Sequence, residues 1–392
     1  MRPKRRLPAL ARDNGDQRSP DLAMTDDSPL SARWVGSWAC APQLVEPGNL
    51  PPAPGLAGNT LRQTLLTTLA GRRVRLLFSN EWGDAPVTFQ SVRLAHAKGA
   101  SAIEPSTDRQ LSFAGKAAVT IPPGQTLVSD PLDFPSAALG SLALSIYFGA
   151  VPRALSGHPS SRTTVYLQHG NAASAASLPE ASTTEHWYFI VGLEVEAHAP
   201  AAAIVTLGDS ITGGRGSTTN GNNRWPDQLA RRLQAHSSTA AVAVLNQGIG
   251  GNAVLRGGLG PPAIARFERD VLGQRGARWL ILLAGVNDIG GSTHGGVASE
   301  LIEAYKGMID RAHARGLLVY GVPILPFGGS QYDSPEHEAA RQTVNEWVRK
   351  SRRFDAVVDL DRAVADPQRS HQLLPAYDCG DHLHLSVAGY QA

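Results

Sequence analysis

Cysteine is nearly absent: Cys40 and Cys379 are the only two in 392 residues. That is too few for a disulfide scaffold or a cysteine-based zinc site. The two lie far apart in sequence, so free thiols are expected, with a single bridge left open. Charge is also sparse, at 18% of residues, and 36 basic against 34 acidic side chains leave a net +2. No basic surplus marks the chain for nucleic acid or an anionic membrane. No stretch approaches the ~18 apolar residues of a membrane span. The start MRPKRRLPALARDNGDQRSP is basic, but no apolar run of ~7–15 residues follows it, as a signal peptide requires. As written, the chain reads as cytoplasmic by default, with export left open. Residues 1–33 read as a polar, disordered leader.

Glycine and proline are abundant, with 40 and 27 copies. Their excess has no period, which excludes collagen and points to many turns. Length predicts two or three domains, and the pattern of apolar residues resolves two.

Over 34–196 the chain reads as β-structure. Leu142, Leu144 and Ile146 alternate with smaller residues, and Val74, Leu76 and Phe78 alternate with Arg73 and Arg75, the period-two signature of half-buried strands. Further strands are expected at 60–69, 87–96, 109–114, 117–121, 126–133, 163–168 and 187–195. Turn chemistry such as Pro122-Pro123-Gly124 separates them. Many short strands without helices predict a β-sandwich or jelly-roll-like domain.

After a linker at 197–203 the rhythm changes. Apolar runs at 204–207, 242–245, 279–283, 317–322 and 356–360 alternate with helical patterns at 225–236, 262–273, 297–315 and 335–352. Such alternation predicts an α/β domain over 204–392, a parallel sheet covered on both faces. Ligands of open parallel sheets bind beyond the carboxyl ends of the strands. There the sequence places Gly208-Asp209-Ser210, Asn246-Gln247-Gly248-Ile249-Gly250-Gly251-Asn252 and Gly285-Val286-Asn287-Asp288. Asp381-His382-Leu383-His384 follows near the end.

A serine hydroxyl needs an imidazole to take its proton, and the imidazole needs an acceptor to orient it. Ser210 sits between a strand end and a helix start. Asp381 and His384 are spaced i, i+3, so one turn of chain could bring the carboxylate to Nδ1 and leave Nε2 for Ser210. His382 competes, with Asp378 four residues before it; the Asp381/His384 pair is preferred. The backbone N–H groups of Ser210 and Gly251 and the Asn287 amide could serve a tetrahedral oxyanion. Asp209 reads as a hydrogen-bonding residue of the turn and Asp288 as a helix cap. Trp38 and Trp82 could line a pocket or fill a core. His236, His294 and His371 read as surface residues.

These four blocks, in this order, resemble the GDSL, or SGNH, hydrolase family over 204–392. The resemblance implies a three-layer α/β/α, flavodoxin-like fold and ester hydrolysis without metal or cofactor. It implies a catalytic triad of Ser210, Asp381 and His384, with Ser210, Gly251 and Asn287 as the oxyanion hole. Trp34-Val35-Gly36-Ser37-Trp38 and Ser79-Asn80-Glu81-Trp82-Gly83 resemble segments of bacterial members with a β-rich front domain. Three positions depart from the family's usual blocks. Gly213 stands where an Asp is common, Leu385 stands where a Pro is common, and the chain stops at Ala392, where a final helix would begin. The C-terminal helix is therefore expected to be truncated, weakening the support under His384.

The resulting expectation is a serine esterase acting on short acyl, acetyl-type esters of small molecules or carbohydrates, with no nucleic-acid partner and no membrane span. A lysophospholipase or thioesterase is the alternative within the family. A metal-dependent phosphoesterase, using Asp209 and His382-x-His384, finds too few convergent ligands. Gly248-Ile249-Gly250-Gly251-Asn252-Ala253 fits a dinucleotide-binding G-x-G-x-x-A, a weak pattern when alone. A non-catalytic carbohydrate-binding protein is the remaining rival. The oligomeric state and natural substrate are not legible.

Overall fold

The computed structural model describes residues 32–392. The expected leader falls outside the described residues as far as residue 31. Arg33 already belongs to the first strand, Arg33–Ala39.

The front half is built from antiparallel strands. One sheet pairs Arg33–Ala39 with Ile190–Ala197, then Gly71–Ser79, then Leu132–Ser136. A second runs through Val165–His169, Asn59–Leu66, Ser141–Phe148 and Val87–Gly99. The alternation of Val74, Leu76 and Phe78 turns those three side chains inward, fully buried. Phe78 of the first sheet meets Phe89 of the second edge-on at 5.3 Å, and Phe89 also meets Phe148 at 5.4 Å. The two sheets therefore face one another across a shared aromatic core, each buried ring contributing ~1.5–3 kcal/mol.

The second half holds a five-stranded parallel sheet. Its strands in chain order are Ala202–Gly208, Val242–Gly248, Ala277–Leu283, Leu318–Gly321 and Ala356–Val357. Their spatial order is second, first, third, fourth, fifth. The first strand thus lies between the second and the third. The order reverses there, which opens a crevice at their carboxyl ends. Helices Trp225–Gln234, Val297–Ala314 and Pro335–Lys350 lie close to the lengths expected from the apolar periodicity. The pattern at 262–273 splits into an α-helical turn, Ala263–Phe267, and a π-helical turn, Glu268–Leu272. The strand expected at 356–360 ends at Val357, because Asp359 caps a short helix from Leu360 to Val364.

The front segments that resembled a subgroup act at the junction of the two halves. Gly36 N–H donates to Arg275 O at 2.9 Å. A Cβ on Gly36 would meet Leu245 Cδ1 at 2.7 Å, and one on Gly276, at φ +76°, would meet Val35 Cγ1 at 2.7 Å. Both glycines let the first strand lie close against the parallel sheet. Glu81 reaches across to Arg269, Oε2 to Nη1 at 2.7 Å. The buried apolar residues of both halves form one continuous cluster. Trp38 belongs to that core, T-stacked on Trp187 at 4.9 Å. Among the described residues no helix is long and apolar enough to cross a membrane. Cys40 is buried and Cys379 exposed, both as free thiols.

Candidate active site

The strand Ala202–Gly208 ends in a tight turn whose Asp209 side chain accepts from Ile211 N–H at 2.9 Å. That bond caps the short helix Ser210–Gly213 and leaves Ser210 as its first residue. Its N–H therefore has no acceptor within the helix. Asp209 is buried, which pushes its carboxyl up to about 7, with Asp288 adding to the shift and the Ile211 N–H and Arg266 opposing it.

Ser210 Oγ lies 2.7 Å from His384 Nε2, and His384 Nδ1 lies 2.8 Å from Asp381 Oδ2. The other Asp381 oxygen accepts from His384 N–H at 2.9 Å and Leu383 N–H at 3.1 Å. The i, i+3 spacing thus folds into a turn in which one carboxylate grips both backbone and ring. Burial pushes Asp381 up, but the His384 backbone and ring hydrogen bonds outweigh it and hold the carboxyl well below the usual range. His384 is 5% exposed. Burial pushes its ring below the ordinary histidine value; Asp381 opposes this, while the charges of Arg215 and Arg162 add to it. His382 faces elsewhere, at φ +59°, with its ring on Asp378 at 2.6 Å. Ser386 caps the last helix, Val387–Gln391, and Tyr390 OH donates to Arg215 O at 2.6 Å.

Gly251 and Asn287 reach the same cavity as Ser210 and His384. Gly251 adopts φ +69°, in a loop where a Cβ would press on Leu259 Cδ1 at 3.1 Å. The loop also explains Gly248, whose Cβ would meet Gly213 N at 2.4 Å. These glycines serve the close approach of two loops. No helix opens after them until Ala263, so the context of a dinucleotide fingerprint is missing.

Asn287 Nδ2 donates to Asn252 O at 2.9 Å, while its Oδ1 accepts from Tyr332 OH at 2.9 Å. One amide hydrogen is left without a partner in the chain, on a residue that lines the cavity. Asp288 is not the cap of its helix, a place taken by Gly285. It accepts from Val254 and Leu255 N–H at 2.8 and 2.9 Å and so ties down the loop that carries Asn252.

The cavity measures about 470 Å³. One wall comes from the front half, through Gln43, Glu46, Asn49, His158, Ser160 and Arg162. Trp38 and Trp82 do not line it. Tyr332 and Arg162 were not singled out in the sequence, since both lie in irregular segments without a motif. Burial pushes His158 down to about 4, so it is neutral near pH 7. His236 and His294 are exposed and His371 is half-buried. Asp378, Cys379 and Asp381 are the described residues whose ligand atoms gather within 4.8 Å, as a cation would need. Both carboxylates are already engaged by backbone N–H groups and by the two histidines.

Residues 206–392 match the model of the GDSL-like Lipase/Acylhydrolase family. Comparison with curated proteins gives no match. Among solved structures the chain is similar to the acetyl xylan esterase AlAXEase, at 20% identity and a TM-score of 0.38, over 48% of this chain and 94% of that one. It is similar to a catalytic mutant of an acetylxylan esterase from Geobacillus stearothermophilus, at 20% and 0.37, over 48% and 89%. A third is a GDSL-like lipase from Bacteroides thetaiotaomicron VPI-5482, at 19% and 0.35, over 48% and 82%.

Proposed function

We propose that this chain, which carries a GDSL-like lipase/acylhydrolase domain over residues 206–392, is a serine esterase that works through an acyl-enzyme on Ser210. The observation that carries the reading is the unbroken hydrogen-bond line from Asp381 through His384 to Ser210. Ser210 Oγ attacks the ester carbonyl carbon as its proton passes to His384 Nε2. Asp381 holds the ring by Nδ1 and stabilises the imidazolium. The C–O bond then breaks, and His384 returns the proton to the leaving alkoxide. Water, losing a proton to the same Nε2, attacks the acyl-enzyme; the bond to Ser210 Oγ breaks as His384 passes that proton to it, releasing the acid and free Ser210. The oxyanion is held by the Ser210 and Gly251 N–H groups and by Asn287 Nδ2.

The substrate reading is a short acyl group on a polar alcohol. Most of the residues that line the cavity are polar, and among the described residues Leu259 and Leu383 are its only large aliphatic ones. A long alkyl chain would find only two aliphatic side chains and the Tyr332 ring to lie against, with no continuous apolar channel among the lining residues. The domain reading is a flavodoxin-like, three-layer catalytic half whose substrate cleft is completed by the front half.

A 4-nitrophenyl ester series of rising chain length, run on wild type and Ser210→Ala, tests this. Acetate and butyrate should be preferred, and Ser210→Ala should be inactive. Full activity in Ser210→Ala contradicts the mechanism; preference for dodecanoate or longer chains contradicts the short-acyl reading. Sugar binding unchanged by Ser210→Ala, with no ester turnover by wild type, would favour a carbohydrate-binding protein.

A further inference from the structure

Arg162 is a cationic residue of the cleft that the mechanism leaves unused. It comes from the front half, yet lines the same cavity as Ser210, His384 and Asp381. Its side chain is half-buried, and its Nε is buried without a hydrogen-bond partner. Among the described residues no carboxylate pairs with it, although most other arginines in buried settings here have one. Arg224 bonds Asp227 at 2.6 Å, Arg266 bonds Asp270 at 2.9 Å and Arg341 bonds Asp361 at 2.6 Å. The Arg162 guanidinium thus has no anionic partner among the described residues and is free to meet one on a ligand.

Its backbone is fixed. Arg162 sits at φ +56°, a conformation that favours glycine. Its carbonyl accepts from Asn220 N–H at 2.9 Å, and Asn220 Oδ1 in turn accepts from Thr164 N–H at 2.7 Å. Ser161 N–H donates to Glu185 O at 2.8 Å. The guanidinium is thus presented by a loop held from both sides, and such outlying backbone conformations gather at ligand sites.

The other charges around the cavity leave room for one anion. Arg215 leans on Asp381 at 3.5 Å and is largely exposed. Glu46 is the remaining carboxylate of the wall, and it accepts from the amides of Gln43 and Asn49. His158 Nδ1 bonds Ala41 O at 2.8 Å. His384 must protonate the leaving oxygen, so the alcohol part of the ester lies on its side of the cleft. The charges of Arg162 and Arg215 are felt at that same ring.

We infer that Arg162, with Arg215 in the same cavity, binds an anionic group on the alcohol part of the substrate, so that the natural substrate is an acyl ester of a carboxylate-bearing sugar. The planar guanidinium fork matches a carboxylate bidentately. The Gln43, Asn49 and Ser160 side chains on the same wall suit hydroxyl groups. The inference rests on the esterase reading above, and it supplies that reading with a substrate class.

The test compares an O-acetylated glucuronic acid with the matching O-acetylated glucose, measured as binding to Ser210→Ala by calorimetry and as acetate release by wild type. The acid should bind at least about tenfold more tightly, the scale of one charge-assisted hydrogen bond. The preference should shrink in high salt, collapse in an added Arg162→Gln change, and survive in part in Arg162→Lys. Equal affinities, or a preference unchanged by Arg162→Gln, overturn the inference. A phosphorylated sugar acetate bound still more tightly than the uronate overturns the carboxylate assignment. Binding preference without acetate release by wild type contradicts the esterase reading and leaves the anion site standing.

Discussion

Arg266 donates from Nη2 to the carbonyl oxygen of Gly208 at 3.0 Å, two residues before Ser210. The same guanidinium bonds Gln247 O at 2.7 Å, Asn252 Oδ1 at 2.9 Å and Asp270 at 2.9 Å. It therefore ties together the ends of two neighbouring strands and the loop that orients Asn287. The side chain is wholly buried, so its charge persists only because all these acceptors converge on it. Arg266→Met leaves those acceptors without their donor. The expected loss is ~3–5 kcal/mol of stability, measured by urea unfolding, with kcat falling alongside. A loss below ~1 kcal/mol, within the range of ordinary surface changes, would show the hub to be dispensable.

Tyr332 fixes the amide of Asn287 by donating to its oxygen. Asn287→Ala should lower kcat by ~10²–10³ with KM little changed, the usual consequence of losing one oxyanion donor. Tyr332→Phe leaves the amide in place but free to turn, so its effect on kcat should be smaller and in the same direction. Steady-state kinetics on a short ester decide this. An Asn287→Ala enzyme altered only in KM would assign the amide to ground-state binding instead.

The state of His384 sets the acid limb of the pH profile. The ring must be neutral to accept the Ser210 proton, and its pKa lies below the ordinary 6.5. The limb of kcat/KM should therefore fall below pH 6.5, with full activity above it. Arg215 lowers that pKa, so Arg215→Gln should move the limb to higher pH. A limb unmoved, or moved to lower pH, contradicts the electrostatic account.

Asp209 should make stability depend on pH in the opposite sense from an ordinary ion-paired carboxylate. Its folded value is raised from 3.8 to about 7, so between those limits the folded state holds more of the proton than the unfolded state. Stability contributed by this group is fully present below 3.8 and is lost as pH rises through 7. Asp209→Asn keeps an acceptor for Ile211 N–H and abolishes the ionisation. The variant should gain in melting temperature relative to wild type at pH 8 and not at pH 4. Parallel curves at both pH values would refute the burial argument.

Much of this geometry is legible in the sequence because it is local or periodic. The parallel strands are recognisable as apolar runs, and the proximity of Asp381 to His384 follows from a three-residue spacing. The wall of the cleft is not legible. Gln43, Asn49, His158 and Arg162 sit in short or irregular segments, brought to Ser210 by the packing of one half on the other. Their approach depends on Gly36 and Gly276, whose missing side chains carry no apolar signal. Arg266 was invisible for a similar reason. A lone arginine in a helical pattern reads as solvent-facing, and only the converging carbonyls of Gly208 and Gln247 make burial tolerable. The split of 262–273 into α- and π-helical turns also escapes periodicity, which does not distinguish one extra residue per turn in so short a stretch.

The central claim is a covalent acyl-enzyme on Ser210, and it is tested most directly by acid-quenching the protein during turnover of 4-nitrophenyl acetate and mapping its peptides by mass. The account predicts one acetyl group on the peptide that contains Ser210, appearing with a burst of nitrophenol and absent from Ser210→Ala. Undiminished turnover by Ser210→Ala, with that peptide unmodified in the wild type, would contradict it.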